Sequence, residues 1–404
     1  MLFRSLTSIL QPSLHIDPQY KARTLLLDDG TTFNGILLRD GGGGREVYRN
    51  LEGKEEIVKT DDIVERKESA SSLMPEGLLD QLTNREIKDL LAFISWPSSI
   101  LSVEGNSEVS IKNGWDGSWW FDFPDGYGGW LKYSPSKPKS AELLWRVGSP
   151  RPVGIELLSP TKLKIIKRSK KGETTFIAER AGDRITIQEL GDNAATARGE
   201  KCPPLPEPPD MSRVSFAEPI ELFNGKNLDG WHLQPEGSKN GWQAIDGLLV
   251  NTTTKTDFSA YGEYGNLKTE KRFGDCHVHI EFKIEKDCNS GVFINGLYEA
   301  QVVDRDSRMQ GINGPGAIFG RIGPSTNAGL EGGQWQTYDV TLVDRHLTVR
   351  LNGELVIENQ PVEGCTGGAL SGNINAPGPL YLQGDHTSVS YRNIWIRPRL
   401  LQDD

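Results

Sequence analysis

The chain has 404 residues, of which 36% are hydrophobic and 25% charged, so it exceeds what one hydrophobic core usually supports and two or three domains are expected. A formal net charge of -10 disfavours nucleic-acid binding, which needs a basic field, and no stretch approaches the roughly 18 apolar residues of a membrane helix. Forty-five glycines and ten tryptophans suit tight β-turns and stacking platforms rather than a helical bundle.

The first twelve residues read as a short amphipathic helix ending before Pro12; their apolar positions are interrupted and no small-residue cleavage site follows, so they make no convincing signal peptide. Residues 22–67 read as a small all-β module. Leu25–Leu27, Thr31–Leu38, Val47–Leu51, Glu55–Lys59 and Ile63–Arg66 are separated by Asp29-Gly30, the glycines at 41–44 and Glu52-Gly53, which are hairpin turn signals. Five short strands so closely spaced predict an SH3-like barrel. A helix is predicted next: Thr83 and Glu86 form a capping box, Ile87, Leu90, Leu91 and Ile94 share one face, and Trp96-Pro97 ends it.

Residues 98–200 are strand-rich, with Trp115, Trp119, Trp120 and Trp130 among glycines, and suggest no family. Those rings would either stack on sugars or build a small core. Residues 201–215 open with the proline-rich run Lys201–Asp210, an extended spacer and the expected domain boundary. From 216 to 400 the pattern is alternation with tight turns. Cys276, Val278, Ile280, Phe282 and Ile284 alternate with His277, His279, Glu281, Lys283 and Glu285, and Asp246-Gly247 and Asn352-Gly353 mark hairpins. Two sheets packed face to face would bury such strands, so a mainly β chain with a C-terminal jelly-roll sandwich is expected.

The polar residues of this last part suggest a site. Glu299 and Gln301 lie two apart on a predicted strand and share a face, where a carboxylate beside an amide can orient hydroxyls and take a proton. His386 follows Gln383 in Leu-Gln-Gly-Asp-His, and Arg392 lies on the next strand, so these groups are expected to converge at one rim. Asn289 precedes Ser290-Gly291, where glycine admits close backbone approach. Asp304 is a further candidate partner for a metal or a hydroxyl. His277-x-His279-x-Glu281 has the spacing of a metal triad, but with the neighbouring lysines and glutamates it reads rather as a solvated strand face. Trp231, Trp242 and Trp335 are expected in the core. The four cysteines, at 202, 276, 288 and 365, have no metal-ligand spacing, and there is no phosphate loop and no G-x-S-x-G elbow.

Taken in order, Phe223-Asn224-Gly225-Lys226 with Trp231, Asn289–Phe293, Tyr298–Gln301, Trp335, Leu351–Gly353, Leu382–His386 and Tyr391–Ile394 resemble the 3-keto-disaccharide hydrolase family, also described as 3-keto-glucoside lyase and 2-hydroxyglucal hydratase domains. The resemblance covers about residues 216–400. It implies a concanavalin-like sandwich, an oxidised sugar or glycoside as substrate, an extracytoplasmic bacterial setting, and a divalent metal supporting the enediolate. Carried onto this chain, it implies Glu299 and His386 as catalytic groups, Asn289, Gln301, Gln383 and Arg392 as sugar ligands, and Asp304 with His386 as metal partners. A non-catalytic carbohydrate-binding sandwich is the alternative, and a glycosidase with paired carboxylates stays open.

Residues 1–97 resemble the C-terminal part of a haem-binding domain of planctomycete and verrucomicrobial proteins, through Ser8–Ser13, the strand module and Ser72–Leu78 before the helix. Met74 matches the axial-ligand position. The chain has no C-x-x-C-H sequence, so no haem is expected, and a haem-linked electron carrier is the least favoured reading.

Overall fold

The computed structural model describes residues 13, 16, 21–40, 44–50, 54–69, 72, 114–134, 140–169, 172–191, 194–253 and 263–400. The helices predicted at the N-terminus and over 83–94, and the segment bearing Met74, lie outside the described residues. The chain forms two compact units, 1–109 and 110–404. Among the described residues no helix is long and apolar enough to cross a membrane, and helical structure is limited to single 3-10 turns such as Thr60–Asp62.

In the first unit, five strands form one antiparallel sheet in the order Glu55–Lys59, Arg45–Asn50, Thr32–Asp40, Ala22–Leu27, Ile63–Glu68. The fifth strand folds back onto the first, as an SH3-like meander requires. Leu25, Tyr48 and Val58 are its buried centre, packed by Leu27, Phe33, Leu37 and Ile63. Glycine at position 30, with φ +79°, makes the first hairpin.

The second unit holds three sheets. A nine-stranded antiparallel sheet over 117–201 has its own core of Trp115, Trp119, Phe121, Leu131 and Phe176 among others. Trp130 and Leu144, on the opposite face, belong instead to the core of the sandwich. Trp115, Trp119 and Trp130 are therefore packing material, while Trp120 is half-buried and belongs to neither core. The proline-rich run lies against the sandwich: Pro204 and Pro209 accept hydrogen bonds from Arg345 and Asn359. The compact units divide at 109/110 and not at this run.

The C-terminal sandwich is the jelly-roll architecture that the alternation implies. Its eight-stranded sheet is centred on Cys276–Lys283, which pairs with Trp335–Val343 on one side and Val389–Pro398 on the other. The facing sheet runs Trp231–Gln234, Asn266–Thr269, Tyr381–Leu382, Ser290–Ile294, Tyr298–Val302. Strict alternation gives this smaller sheet two different faces. Leu233, Leu267, Leu382, Val292 and Ala300 are cross-strand neighbours and point into the core. The other face carries polar groups on four of the five strands, the exception being Ser290–Ile294, which presents Gly291 and Phe293 there. Trp231 and Trp242 are buried as expected, whereas Trp335 is only half-buried, between Lys283 and Arg392 on the outer surface.

Candidate active site

The polar face of the five-stranded sheet forms a floor. Register places Gln234, Asn266 and Lys268 on two of its strands, and Gly291 and Phe293 opposite Gln301 and Glu299 on two others. Tyr381 stands between Lys268 and Phe293, and Gln383 continues the face beyond it. Most of these residues hydrogen bond one another or the loops above them, which explains how a polar surface can be buried without a large penalty.

Glu299 departs from that rule. The residue is 4% exposed, and its backbone is tied by Thr366 Oγ1, which accepts from its N–H at 3.0 Å. No described residue donates to its carboxyl. Burial pushes its pKa well above the ordinary 4.5, and the negative charge of Asp385 adds to the effect. A side chain at position 291 would collide with Glu299 Oε1, so the glycine of Asn-Ser-Gly gives this carboxyl its space.

The turn Gly384-Asp385-His386 stands at the edge of the floor. Asn266 Oδ1 accepts from the N–H groups of Gly384 and Asp385 at 2.7 and 3.1 Å, while its Nδ2 donates to the Tyr381 hydroxyl at 2.6 Å. The turn is thereby fixed to the floor. His386 Nδ1 lies 2.6 Å from Asp385 Oδ1. With Nδ1 donating, the neutral ring carries its lone pair on Nε2. Burial, and next the charge of Asp385, hold the Tyr381 phenol far above its usual pKa. Lys268 Nζ donates to Gln234 Oε1 at 2.5 Å, and burial lowers its pKa.

Asn289 joins this edge through Thr387, whose hydroxyl accepts from Asn289 N and donates to Asn289 O, both at 2.9 Å. The side-chain oxygens of Asn289 and Gln383 are buried with no hydrogen-bond partner among the described residues. Such groups are costly unless a ligand or water satisfies them.

Other expected site residues fall elsewhere. Gln301 shares the floor with Glu299, but its Nε2 donates to Asn313 O at 3.2 Å and its Oε1 accepts from Val302 N. It holds the 309–313 loop and has no donor left for a sugar at that contact. Asp304 is fully buried, its two carboxylate oxygens accepting from Asp287 N and Asp306 N at 2.9 and 3.0 Å. Arg392 does not meet Glu299. It lies on the outer face of the eight-stranded sheet, 2.7 Å from Glu281 and with its guanidinium 4.1 Å above Trp335. Arg392 follows the inward-facing Tyr391 by one position, so alternation turns it outward; the β-bulge at Asn393, with φ +49°, shifts only the residues after it. His277 and His279 are on the same outer face, both bonded to Asp339 Oδ1 at 3.2 and 2.9 Å. Asp385 was within the quoted motif but was not singled out; its adjacency to the histidine was the available signal.

The divalent metal implied by the resemblance fits poorly. Among the described residues no three His, Cys, Asp or Glu side chains gather as a ligand set. Asp304 spends both oxygens on backbone amides, and one oxygen of Asp385 is taken by His386. A cleft of about 850 Å³, lined by Asp116, Lys132, Lys201, Arg345 and Glu363 among others, touches none of the candidate residues.

Residues 218–397 match the family model of a 3-keto-alpha-glucoside-1,2-lyase-like domain. No curated protein matches the chain. Among solved structures, it is similar to a candidate glycosyl hydrolase of Parabacteroides distasonis, with 22% identity over 44% of this chain and 93% of that one and a TM-score of 0.36. It is also similar to porphyranase B of Zobellia galactanivorans, with 14% identity over 50% of this chain and 99% of that one and a TM-score of 0.28.

Proposed function

We propose that the sandwich cleaves glycosides whose sugar has been oxidised at carbon 3, by elimination followed by hydration. A keto group at carbon 3 acidifies the hydrogen at carbon 2. Removing that proton gives an enolate, whose collapse re-forms the carbonyl, creates the carbon 1–carbon 2 double bond and expels the oxygen on carbon 1. Water can then add across that bond, its hydroxyl going to carbon 1 and a proton to carbon 2. The chemistry needs a base, a donor to the leaving oxygen and a positive group near the carbon 3 oxygen.

The single observation that carries the reading is the buried Glu299 carboxyl, which has a raised pKa and no hydrogen-bond donor among the described residues, on the same polar face as the Asp385–His386 pair. A carboxyl whose pKa is raised by burial holds its proton more tightly and suits the donor role. His386, oriented by Asp385, suits the base. Lys268 and Tyr381 stand on the floor as the groups able to stabilise negative charge at the carbon 3 oxygen. Asn289 and Gln383 offer unsatisfied oxygens to sugar hydroxyls. The family match over 218–397 supports the choice of an oxidised substrate. The setting we propose is extracytoplasmic, where such glycosides are met.

The test is turnover of methyl 3-keto-α-D-glucopyranoside against its unoxidised parent, with the glycal intermediate followed by mass spectrometry. Selective cleavage of the keto compound, lost in Glu299→Gln, is the expected result. Equal cleavage of both compounds, or full activity in Glu299→Gln, removes the proposal.

A further inference from the structure

The floor has a cover, and it comes from outside the family match. The hairpin of strands Gly117–Asp122 and Gly128–Tyr133, and the turn after Trp145, belong to the nine-stranded sheet. The hairpin tip reaches the first floor strand: a Cβ at Gly126 would sit 3.4 Å from Gln234 Nε2. Behind the tip, Gly128 N donates to Ala369 O at 2.9 Å. Asp122 accepts from Gly372 N at 2.6 Å and from the Ser371 hydroxyl. The second turn reaches the other end of the floor. Ser149 Oγ lies 3.2 Å from Asn313 Oδ1, in the loop that Gln301 holds, and Gly368 N donates to Arg146 O at 2.8 Å. Gly367 packs so closely on the backbone of Gly148 that position 367 has no space for a side chain. Arg321 of the sandwich, 4.2 Å above Trp130, fastens the two parts together.

Tyr127, half-buried, lies in the first hairpin between Gly126 and Gly128, with part of its ring packed on the core of its own sheet. Burial, and next the charge of Asp385, raise its phenol pKa. Arg146 pairs with Asp125 beside it and lies 4.0 Å over Phe123. An aromatic ring with a hydroxyl tip, next to a polar floor, is the side chain that best stacks on a pyranose ring while bonding its hydroxyls.

We propose that the nine-stranded sheet roofs the sugar site, with Tyr127 contacting the sugar from above and the anchors at both ends of the floor limiting the substrate to one or two sugar units. This rests on the reading of the floor as the sugar-cleaving site. The roof thus determines specificity, and the floor holds the reacting groups.

The experiment compares Tyr127→Phe, Tyr127→Ala and Glu299→Gln in the full chain, using methyl 3-keto-α-D-glucopyranoside and the same ring carried at the end of a pentasaccharide. Tyr127→Ala is expected to raise KM by about tenfold with kcat within about twofold, consistent with loss of one aromatic contact. Tyr127→Phe, which keeps the ring and the packing, should raise KM by about threefold, as loss of one hydrogen bond does. The pentasaccharide should have no higher kcat/KM than the methyl glycoside. The roof inference fails if both Tyr127 variants keep KM within about twofold while Glu299→Gln is inactive, or if the pentasaccharide is better by more than about tenfold. Full turnover by Glu299→Gln instead removes the underlying reading.

Discussion

Gly291 stands diagonally beside Glu299 on the adjacent floor strand, and the space a side chain would take at 291 is filled by the Glu299 carboxyl. The glycine is needed for close approach and not for a turn. Gly291→Ala should therefore displace the carboxyl or the strand, at a stability loss of about 1–3 kcal/mol as in other overpacked sites. Turnover should fall by more than tenfold. Thermal unfolding with steady-state kinetics checks both, and a variant with wild-type kcat would mean that the carboxyl has no fixed position to lose.

The raised pKa of Glu299 links the site to stability. Its unfolded form titrates near 4.5 and its folded form well above. Below about pH 4.5 both states are protonated and the group is neutral with respect to folding. As pH rises, the unfolded state loses the proton first, so stability falls until the folded carboxyl also ionises. The fall is about 1.4 kcal/mol per pH unit across that window. Glu299→Gln removes it. Chemical denaturation at pH 5 and pH 8 should show the variant gaining on the wild type as pH rises. In activity, the wild type should lose turnover on the alkaline side as Glu299 deprotonates.

Asp385 offers a cleaner separation of roles. Its carboxylate is the partner of His386 Nδ1 at 2.6 Å, and the turn it belongs to is held separately by Asn266. Asp385→Asn should leave that backbone anchor in place while removing the charge that fixes the ring. A drop of about a hundredfold in kcat is expected, within the range of lost general base catalysis, with little change in melting temperature. The substitution also takes a negative charge away from Glu299, Tyr381 and Tyr127. Their titrations should move down together, which tyrosine absorbance against pH can follow.

Alternation made the sandwich legible in sequence, because one apolar residue in every two on Cys276–Lys283 leaves one face for the core. The same logic put Glu299 and Gln301 on one face, and that face is the polar floor. It did not show that the floor would be covered. Both faces of Tyr298–Val302 are buried, because loops far along the chain fold over it, and a two-residue period carries no information about them. Gln301 looked like a sugar ligand for the same reason: only the loop at Asn313 reveals where its amide is used. The nine-stranded sheet read as an unassigned strand-rich segment, and its contacts with the sandwich mix backbone and glycine approaches with isolated side-chain pairs such as Asp122–Ser371 and Ser149–Asn313, which form no motif in sequence.

Arg392 provides the counter-test, since the order of motifs placed it with the site and the structure does not. The order of motifs suggests convergence with His386, yet Arg392 directly follows Tyr391, which faces the core, so alternation alone turns it to the outer face with Glu281. Its side chain is 40% exposed, so the ion pair is screened and worth up to about 1 kcal/mol. The contact with Trp335 adds about 0.5–1 kcal/mol. Arg392→Ala should therefore lower stability by about 1–2 kcal/mol and leave kcat and KM within twofold. A stability loss with unchanged kinetics separates Arg392 from the floor residues. A tenfold loss of kcat/KM at unchanged stability would place the sugar against the eight-stranded sheet and reverse the assignment of the face on which the chemistry occurs.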